Sequence, residues 1–503
     1  MRKHRSAALA AATLLLVTGA GLVAAPAAHA GVPGGTRADD RNTDFNGDGR
    51  DDVLIGAPGA SVGGRPGAGF VTVQYGTARG LDTARATVLS QDTGGVPGTA
   101  EAGDGFGTAV ATGDLDGDGY DDAVVGAPGE DIGRTADAGG AVVLWGSRYG
   151  LRGSGSQWLG SLLGTTAGAR FGSAFAAGRF TAETTGDQLI ALDRGRVEWH
   201  VFESAPAPEA TRGHDTRAVP RPRAGARADE PLRDIIARSV TTGDYDRNGF
   251  ADVVISGVST GAEPGHGWSW YLAGGSDALV FERSLRGGPV AASGDLDGDG
   301  YDDLVTGEPH SPDDGGESTT GGMVGVYRGG PQGPEGATGV GTPPEWWTQN
   351  TTGVPGTSER GDGWGADLSV GDTDGDGYAD LAIGAPGEDI GTSPDAGMIT
   401  VLRGSPRGPT AARAESWTQS TTSVPGVIEK GDAFGGQVRF VDPDADGRFE
   451  LLVSAPGEDT ADGCVWLFPA PSGGVTPVGS RTFSAATFGA PAADARFGAV
   501  IDD

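Results

Sequence analysis

Short apolar runs recur along the chain, and each is closed by glycine and proline. Val53-Leu-Ile55 precedes Gly56-Ala-Pro-Gly59, Ala123-Val-Val125 precedes Gly126-Ala-Pro-Gly129, and Leu381-Ala-Ile383 precedes Gly384-Ala-Pro-Gly387. Runs this short, rich in Val, Ile and Leu and bounded by turn residues, predict buried strands rather than helices. Directly before each run lies a polar stretch in which acidic side chains fall at every second position. The chain therefore reads as strand, acidic loop, buried strand and Gly-Pro turn, repeated.

The acidic stretch occurs six times in register. Its oxygen-bearing side chains are Asp44, Asn46, Asp48 and Asp52; Asp114, Asp116, Asp118 and Asp122; and Asp244, Asp246, Asn248 and Asp252. The series continues with Asp295, Asp297, Asp299 and Asp303; Asp372, Asp374, Asp376 and Asp380; and Asp442, Asp444, Asp446 and Glu450. These are positions 1, 3, 5 and 9 of each loop, and position 6 is glycine, where the chain must turn sharply. Carboxylates crowded this closely repel one another unless a hard cation sits among them, and an all-oxygen set on a flexible turn suits calcium rather than zinc. The backbone carbonyl of position 7, at Arg50, Tyr120, Phe250, Tyr301, Tyr378 and Arg448, offers a further ligand. About six calcium ions are expected on this count.

An EF-hand would carry a bidentate Glu at position 12 and run on into a helix. Position 12 here is Ile55, Val125, Ile255, Thr306, Ile383 or Val453, so the loop joins two strands. Upstream of it stands an aromatic-glycine pair, as in Gly103-Asp-Gly-Phe106-Gly107, Gly361-Asp-Gly-Trp364-Gly365 and Gly431-Asp-Ala-Phe434-Gly435. Phe-Gly, then a calcium loop, then Gly-Ala-Pro resembles the FG-GAP repeat, and the chain is similar to the β-propeller of integrin α subunits. That resemblance implies calcium loops on the lower face and partner binding on the upper face. It places Glu130-Asp131, Glu388-Asp389 and Glu458-Asp459 on the upper face, with the turns Gly95-Val-Pro-Gly98, Gly353-Val-Pro-Gly356 and Ser423-Val-Pro-Gly426.

Between Asp114 and Asp244 lies a degenerate unit, Phe171-Gly172 followed by Phe180 to Asp187, which keeps the aromatic-glycine pair but not the alternating oxygens. It is read as a blade without calcium. Seven units at periods of roughly 50 to 75 residues predict an all-β, seven-bladed β-propeller. The first unit has no aromatic-glycine strand before its loop, whereas Phe497-Gly498-Ala-Val-Ile501 is such a strand with no loop after it. The C-terminal strand is therefore expected to complete blade one and close the ring.

Composition adds detail to this picture. Gly 93 and Pro 31 fit a turn-rich β protein, and a net charge of −32 disfavours nucleic acid, whose phosphates would be repelled. Arg2, Lys3 and Arg5, an apolar run from Ala7 to Ala25 and Ala28-His-Ala30 read as a secretory signal peptide over residues 1–30. The propeller is then expected over 31–503, exported to the extracellular space, without membrane insertion, as a monomer. Cys464 has no partner for a disulfide and reads as a small buried hydrophobe. The segment 203–233, rich in Pro and Arg, reads as an exposed loop.

No catalytic constellation is assigned. The histidines beyond residue 30 are His200, His214, His266 and His310, and none sits in a hydrolase-type context. Glu308-Pro-His310 in place of a Gly-Ala-Pro turn is read as a drifted surface turn, with a metal or acid/base site as the other reading. The functional expectation is a calcium-binding adhesion or binding module for an extracellular protein or glycan. The alternative is a propeller-fold glycan hydrolase or lyase.

Overall fold

The computed structural model describes residues 43–161, 163–194, 196–202, 214–218, 235–261, 264–310 and 320–502. The signal-peptide reading falls outside them. The described residues form seven four-stranded antiparallel sheets, the blades of a propeller. Blade two, Val110–Gly113, Asp122–Ala127, Gly140–Leu144 and Gln157–Leu159, shows the plan: each strand pairs with the next, and the acidic loop joins the first to the second. First strands of neighbouring blades pack on one another and so line the centre of the ring.

In blades one, two and six the second and third strands are covered on both faces, which is why they read as largely apolar runs without alternation. Seven clusters of buried side chains fill the seven gaps between blades. In five of these an aromatic from an aromatic-glycine pair is buried: Phe106, Phe171, Trp364, Phe434 and Phe497. The glycines of the Gly-Ala-Pro turns answer a close approach. A Cβ on Gly56 would stand 2.1 Å from the carbonyl oxygen of Gly107, and one on Gly384 would stand 2.1 Å from that of Gly435.

The ring closes through the C-terminal strand, as expected. Val500–Ile501 pairs with Val53–Ala57 in the register Ile55 to Ile501 and Gly56 to Val500. The N–H of Gly498 donates to the carbonyl of Gly56 at 3.0 Å, matching Gly107 to Gly126 at 2.9 Å inside blade two. Phe497, fully buried, packs among Ile55, Phe70, Val465 and Phe483.

One expectation needs correction. The segment 203–233 is not all loop: His214–Ala218 is the fourth strand of blade three, pairing with Val197–Phe202. A blade edge offers unpaired backbone groups whatever the composition of the segment beside it, and this edge takes a stretch free of proline, which could not donate to the ladder. The rest of that segment lies outside the described residues. Cys464 is half-buried rather than buried, on the third strand of blade seven. Among the described residues no helix is long and apolar enough to cross a membrane.

Candidate metal centres

Each acidic loop folds around its own first residue. Asp44 Oδ1 accepts the N–H of Gly47 at 2.7 Å and that of Asp48 at 3.1 Å, while Oδ2 accepts the N–H of Gly49 at 2.7 Å. The bonds to the N–H groups of positions 5 and 6 recur from Asp114, Asp244, Asp295, Asp372 and Asp442. Such a tight wrap needs left-handed backbone at position 6, met by glycine in every loop, with φ of 81 to 89°. Position 4 is left-handed as well, including Arg247 and Ala445, both at φ 57°.

Position 9 closes the loop against the blade. One oxygen of Asp52, Asp122, Asp252, Asp303 and Asp380 accepts the N–H of the glycine just beyond the third strand: Gly76, Gly146, Gly274, Gly329 and Gly404, at 2.7 to 2.9 Å. The sequence places these carboxylates at one end of each blade, and the fold brings them together. Ligand oxygens within 4.8 Å of one another come from Asp114, Asp116 and Asp122; Asp244, Asp246 and Asp252; and Asp442, Asp444 and Glu450. In blades five and six the converging sets are Asp295, Asp297 and Asp299, and Asp372, Asp374 and Asp376. In blade one the Asn46 amide instead donates to Asp52 Oδ2 at 3.2 Å.

The donor set fits a hard cation. Asp374 Oδ1, Asp444 Oδ1 and Glu450 Oε2 are buried oxygens that accept no hydrogen bond, an arrangement that is costly unless something positive faces them. Burial first, then the neighbouring carboxylates, pushes Asp252 and Glu450 up to about 8 and Asp114 and Asp244 up to about 6. Asp52 is raised to about 9 by burial, to which Asp44 and Asp48 add. A cation bound among them would relieve the same repulsion that now favours a proton.

Sequence reasoning missed how the loops are joined. The N–H of position 8 in each blade donates to the position 1 carbonyl of the blade before it: Asp121 to Asp44 at 3.1 Å, Asp302 to Asp244 at 3.3 Å, Ala379 to Asp295 at 3.1 Å and Phe449 to Asp372 at 3.0 Å. Blade three takes part through Asp187 to Asp114 at 2.7 Å and Ala251 to Arg179 at 2.9 Å. Where position 8 is aspartate its carboxylate returns the bond, Asp121 Oδ2 accepting from Asp44 N–H and Asp302 Oδ2 from Asp244 N–H, each at 2.7 Å. Asp187 does the same for Asp114 at 3.1 Å, so the degenerate blade keeps this link. An aspartate beside four others gives no sequence signal for such a task.

The loops after the second strands lie at the other end of the blades. Gln91 Nε2 donates to Glu130 at 2.7 Å, Gln349 to Glu388 at 2.9 Å and Gln419 to Glu458 at 2.5 Å, so each acidic pair of the upper face is tied to the preceding blade. Burial pushes Glu130 and Glu458 up to about 7, with Asp104 and Asp432 adding respectively. A cavity of about 300 Å³ opens beside Glu458, Asp459, Asp462, Cys464 and Trp466. The other candidate, Glu308, is buried and accepts the N–H of Gly267 at 2.9 Å, which makes it a backbone anchor for blade four rather than a free surface turn.

Comparison with known proteins agrees with this architecture. The FG-GAP repeat family matches residues 42–73, 106–145, 287–327 and 364–402, in blades one, two, five and six. The chain is 30% identical over 185 residues to integrin alpha-PS2 of Drosophila melanogaster, covering 34% of this chain and 12% of that protein. It is 36% identical over 109 residues to phosphatidylinositol-glycan-specific phospholipase D of Rattus norvegicus, covering 22% of this chain and 13% of that protein. Among solved structures, a rhamnogalacturonan lyase of Bacillus licheniformis matches with a TM-score of 0.27 at 12% identity, over 69% of this chain and 65% of that one. The rhamnogalacturonan lyase YesW matches with a TM-score of 0.30 at 11% identity, over 83% of this chain and 82% of that one. Both likenesses are too loose to bear on fold or function.

Proposed function

We propose that this FG-GAP, integrin α-like propeller is a secreted, calcium-binding module that binds a protein or glycan ligand outside the cell. Residues 1–30 serve as its export signal, and residues 31–503 form the propeller. The observation that carries the calcium reading is the convergence of three ligand oxygens within 4.8 Å in each of five loops, on a backbone cage repeated in all of them. The ion would be held by positions 1, 3, 5 and 9, with the position 7 carbonyl available, and would supply charge compensation rather than chemistry. The distant likeness to an integrin α subunit supports a binding role for the opposite end of the blades.

Calcium titration of chelator-treated protein, followed by thermal unfolding, tests the metal. A melting temperature that falls in excess EDTA and returns with calcium at about 10⁻⁴ to 10⁻³ M is expected. Unchanged melting overturns the assignment. A glycan and protein array tests the rest: saturable binding without turnover is expected, and release of a cleaved product would point to an enzyme instead.

A further inference from the structure

In two of the six loops an arginine at the end of the third strand reaches the position 9 carboxylate, whereas Arg50 and Arg448, at position 7 of the loops in blades one and seven, pair with the position 5 carboxylates Asp48 and Asp446. Arg403 ends the strand Met398–Arg403 of blade six and is 4% exposed. Its Nη1 lies 2.9 Å from Asp380 Oδ2 and 2.6 Å from Thr373 Oγ1, and its Nη2 lies 3.6 Å from Glu415. Arg328 follows the strand Met323–Tyr327 of blade five, with Nη1 3.5 Å from both Asp297 Oδ2 and Asp303 Oδ2. Each arginine immediately precedes the glycine whose N–H holds the position 9 carboxylate. The residue in that place is Tyr75 in blade one, Trp145 in blade two and Ala273 in blade four, none of them charged.

The same two blades differ in which oxygens converge. In blades two, four and seven the set is positions 1, 3 and 9, whereas in blades five and six it is positions 1, 3 and 5. The position 9 aspartate is missing from the set in the two blades where an arginine faces it, although Asp297, which Arg328 also faces, remains in the set of blade five. Arg403 holds Asp380 Oδ2 by charge and by a directed N–H bond, and Arg328 faces Asp303 Oδ2 as an ion pair, so a metal taking either oxygen must displace the guanidinium.

We propose that Arg328 and Arg403 are tethered cations that draw the position 9 carboxylate out of the ligand set, so that blades five and six bind a divalent cation more weakly than blades two and four and hold their shape without one. This rests on the calcium reading above. A divalent ion entering either loop meets a fixed positive charge a few ångströms away and must compete for Asp303 or Asp380. Conversely, a metal-free loop in these blades keeps a positive charge against its buried carboxylate, where Asp52 and Asp252 have only the neutral side-chain donors Asn46 and Tyr271.

Calcium uptake by the chelator-stripped chain, measured by equilibrium dialysis, separates the two classes. The wild type should fill the loops of blades two and four before those of blades five and six. Arg403→Met keeps most of the side-chain bulk and removes the charge. It should lower melting in EDTA, restore it in calcium, and tighten binding at one loop by about tenfold. Loss of a merely structural residue would weaken binding, so the direction of the change is the signature. Arg413→Met removes an exposed arginine near the same loop, 3.7 Å from Asp374, and should change affinity less than about twofold. If Arg403→Met does not fold, Arg328→Met, whose parent side chain is 25% exposed, makes the same test in blade five. Unchanged or weaker calcium binding in the folded variants, with wild-type uptake intact, overturns this proposal and leaves the calcium reading standing. A wild type that takes up no calcium overturns both.

Discussion

Asp51 and Asp442 join the two ends of the propeller by a reciprocal pair of hydrogen bonds. The N–H of Asp442 donates to Asp51 Oδ2 at 2.7 Å, and the N–H of Asp51 donates to the carbonyl of Asp442 at 3.3 Å, across 391 residues of chain. The pair is the seventh of the links between consecutive loops, and it has the same form as Asp121 with Asp44 in the interior of the ring. Closure therefore repeats a contact that is local elsewhere.

Asp51→Ala should leave the N–H of Asp442 without its carboxylate partner in a buried place, at a cost of about 1–3 kcal/mol. Asp51→Asn keeps an acceptor oxygen and should lose much less. Denaturant unfolding of the two variants checks the difference, and equal losses would mean that the link is carried by the backbone bond alone.

Removing residues 495–503 deletes Phe497 and Ile501 from the blade-seven to blade-one core and takes away the strand that pairs with Ile55 and Gly56. The loss should reach the whole ring, seen as protease sensitivity and aggregation out of proportion to the length removed. A truncated chain that stays monomeric and melts like the parent would contradict closure.

Asp299→Ala removes one of the three converging ligands of blade five, whereas Glu183 stands in the degenerate blade outside any such group. The first change should reduce calcium uptake and the calcium-dependent rise in melting temperature. Glu183→Ala should leave both as they are.

Ala445 holds φ at 57°, a conformation that costs a non-glycine residue about 1–2 kcal/mol. Ala445→Gly should recover much of that, offset by the greater freedom glycine has in the unfolded chain. Equilibrium unfolding in calcium should show a gain approaching about 1 kcal/mol.

Glu130 is raised from 4.5 to about 7 chiefly by burial, with Asp104, Glu101 and Asp131 adding and the Gln91 hydrogen bond opposing. Between those values the folded chain holds a proton that the unfolded chain has released, so this contribution is full at the acid end and is lost as pH rises to about 7. Glu130→Gln should flatten the fall in melting temperature over that window and melt above the parent at pH about 8. Parallel pH profiles for the two proteins would show that Glu130 titrates elsewhere.

Much of the architecture was legible because it is written locally and repeatedly. The alternating oxygens from Asp114 to Asp122, the Gly-Ala-Pro stop after Val125 and the Phe106-Gly107 lead each depend on residues a few positions apart. Six copies in register, with the degenerate seventh, made the blade count and the candidate ligand positions readable. Even closure could be read, because Phe497-Gly498 repeats a pattern found complete elsewhere.

What the sequence could not decide lies between blades. The aspartates at 51, 121, 187 and 302 resemble any others in an acidic loop, and only the neighbouring blade, far away in the chain, makes them acceptors for a particular N–H. Arg328 and Arg403 end strands as ordinary residues would, and only the pairing of the third strand with the second swings their guanidinium groups onto Asp303 and Asp380. His214–Ala218 sits in a stretch whose composition argues against a strand, yet the open edge of Val197–Phe202 supplies the hydrogen-bond partners that its own sequence does not demand. Local periodicity thus determined the repeat and its chemistry, while contacts between distant repeats, set by the ring, decided which carboxylates are joined, compensated or left to a cation.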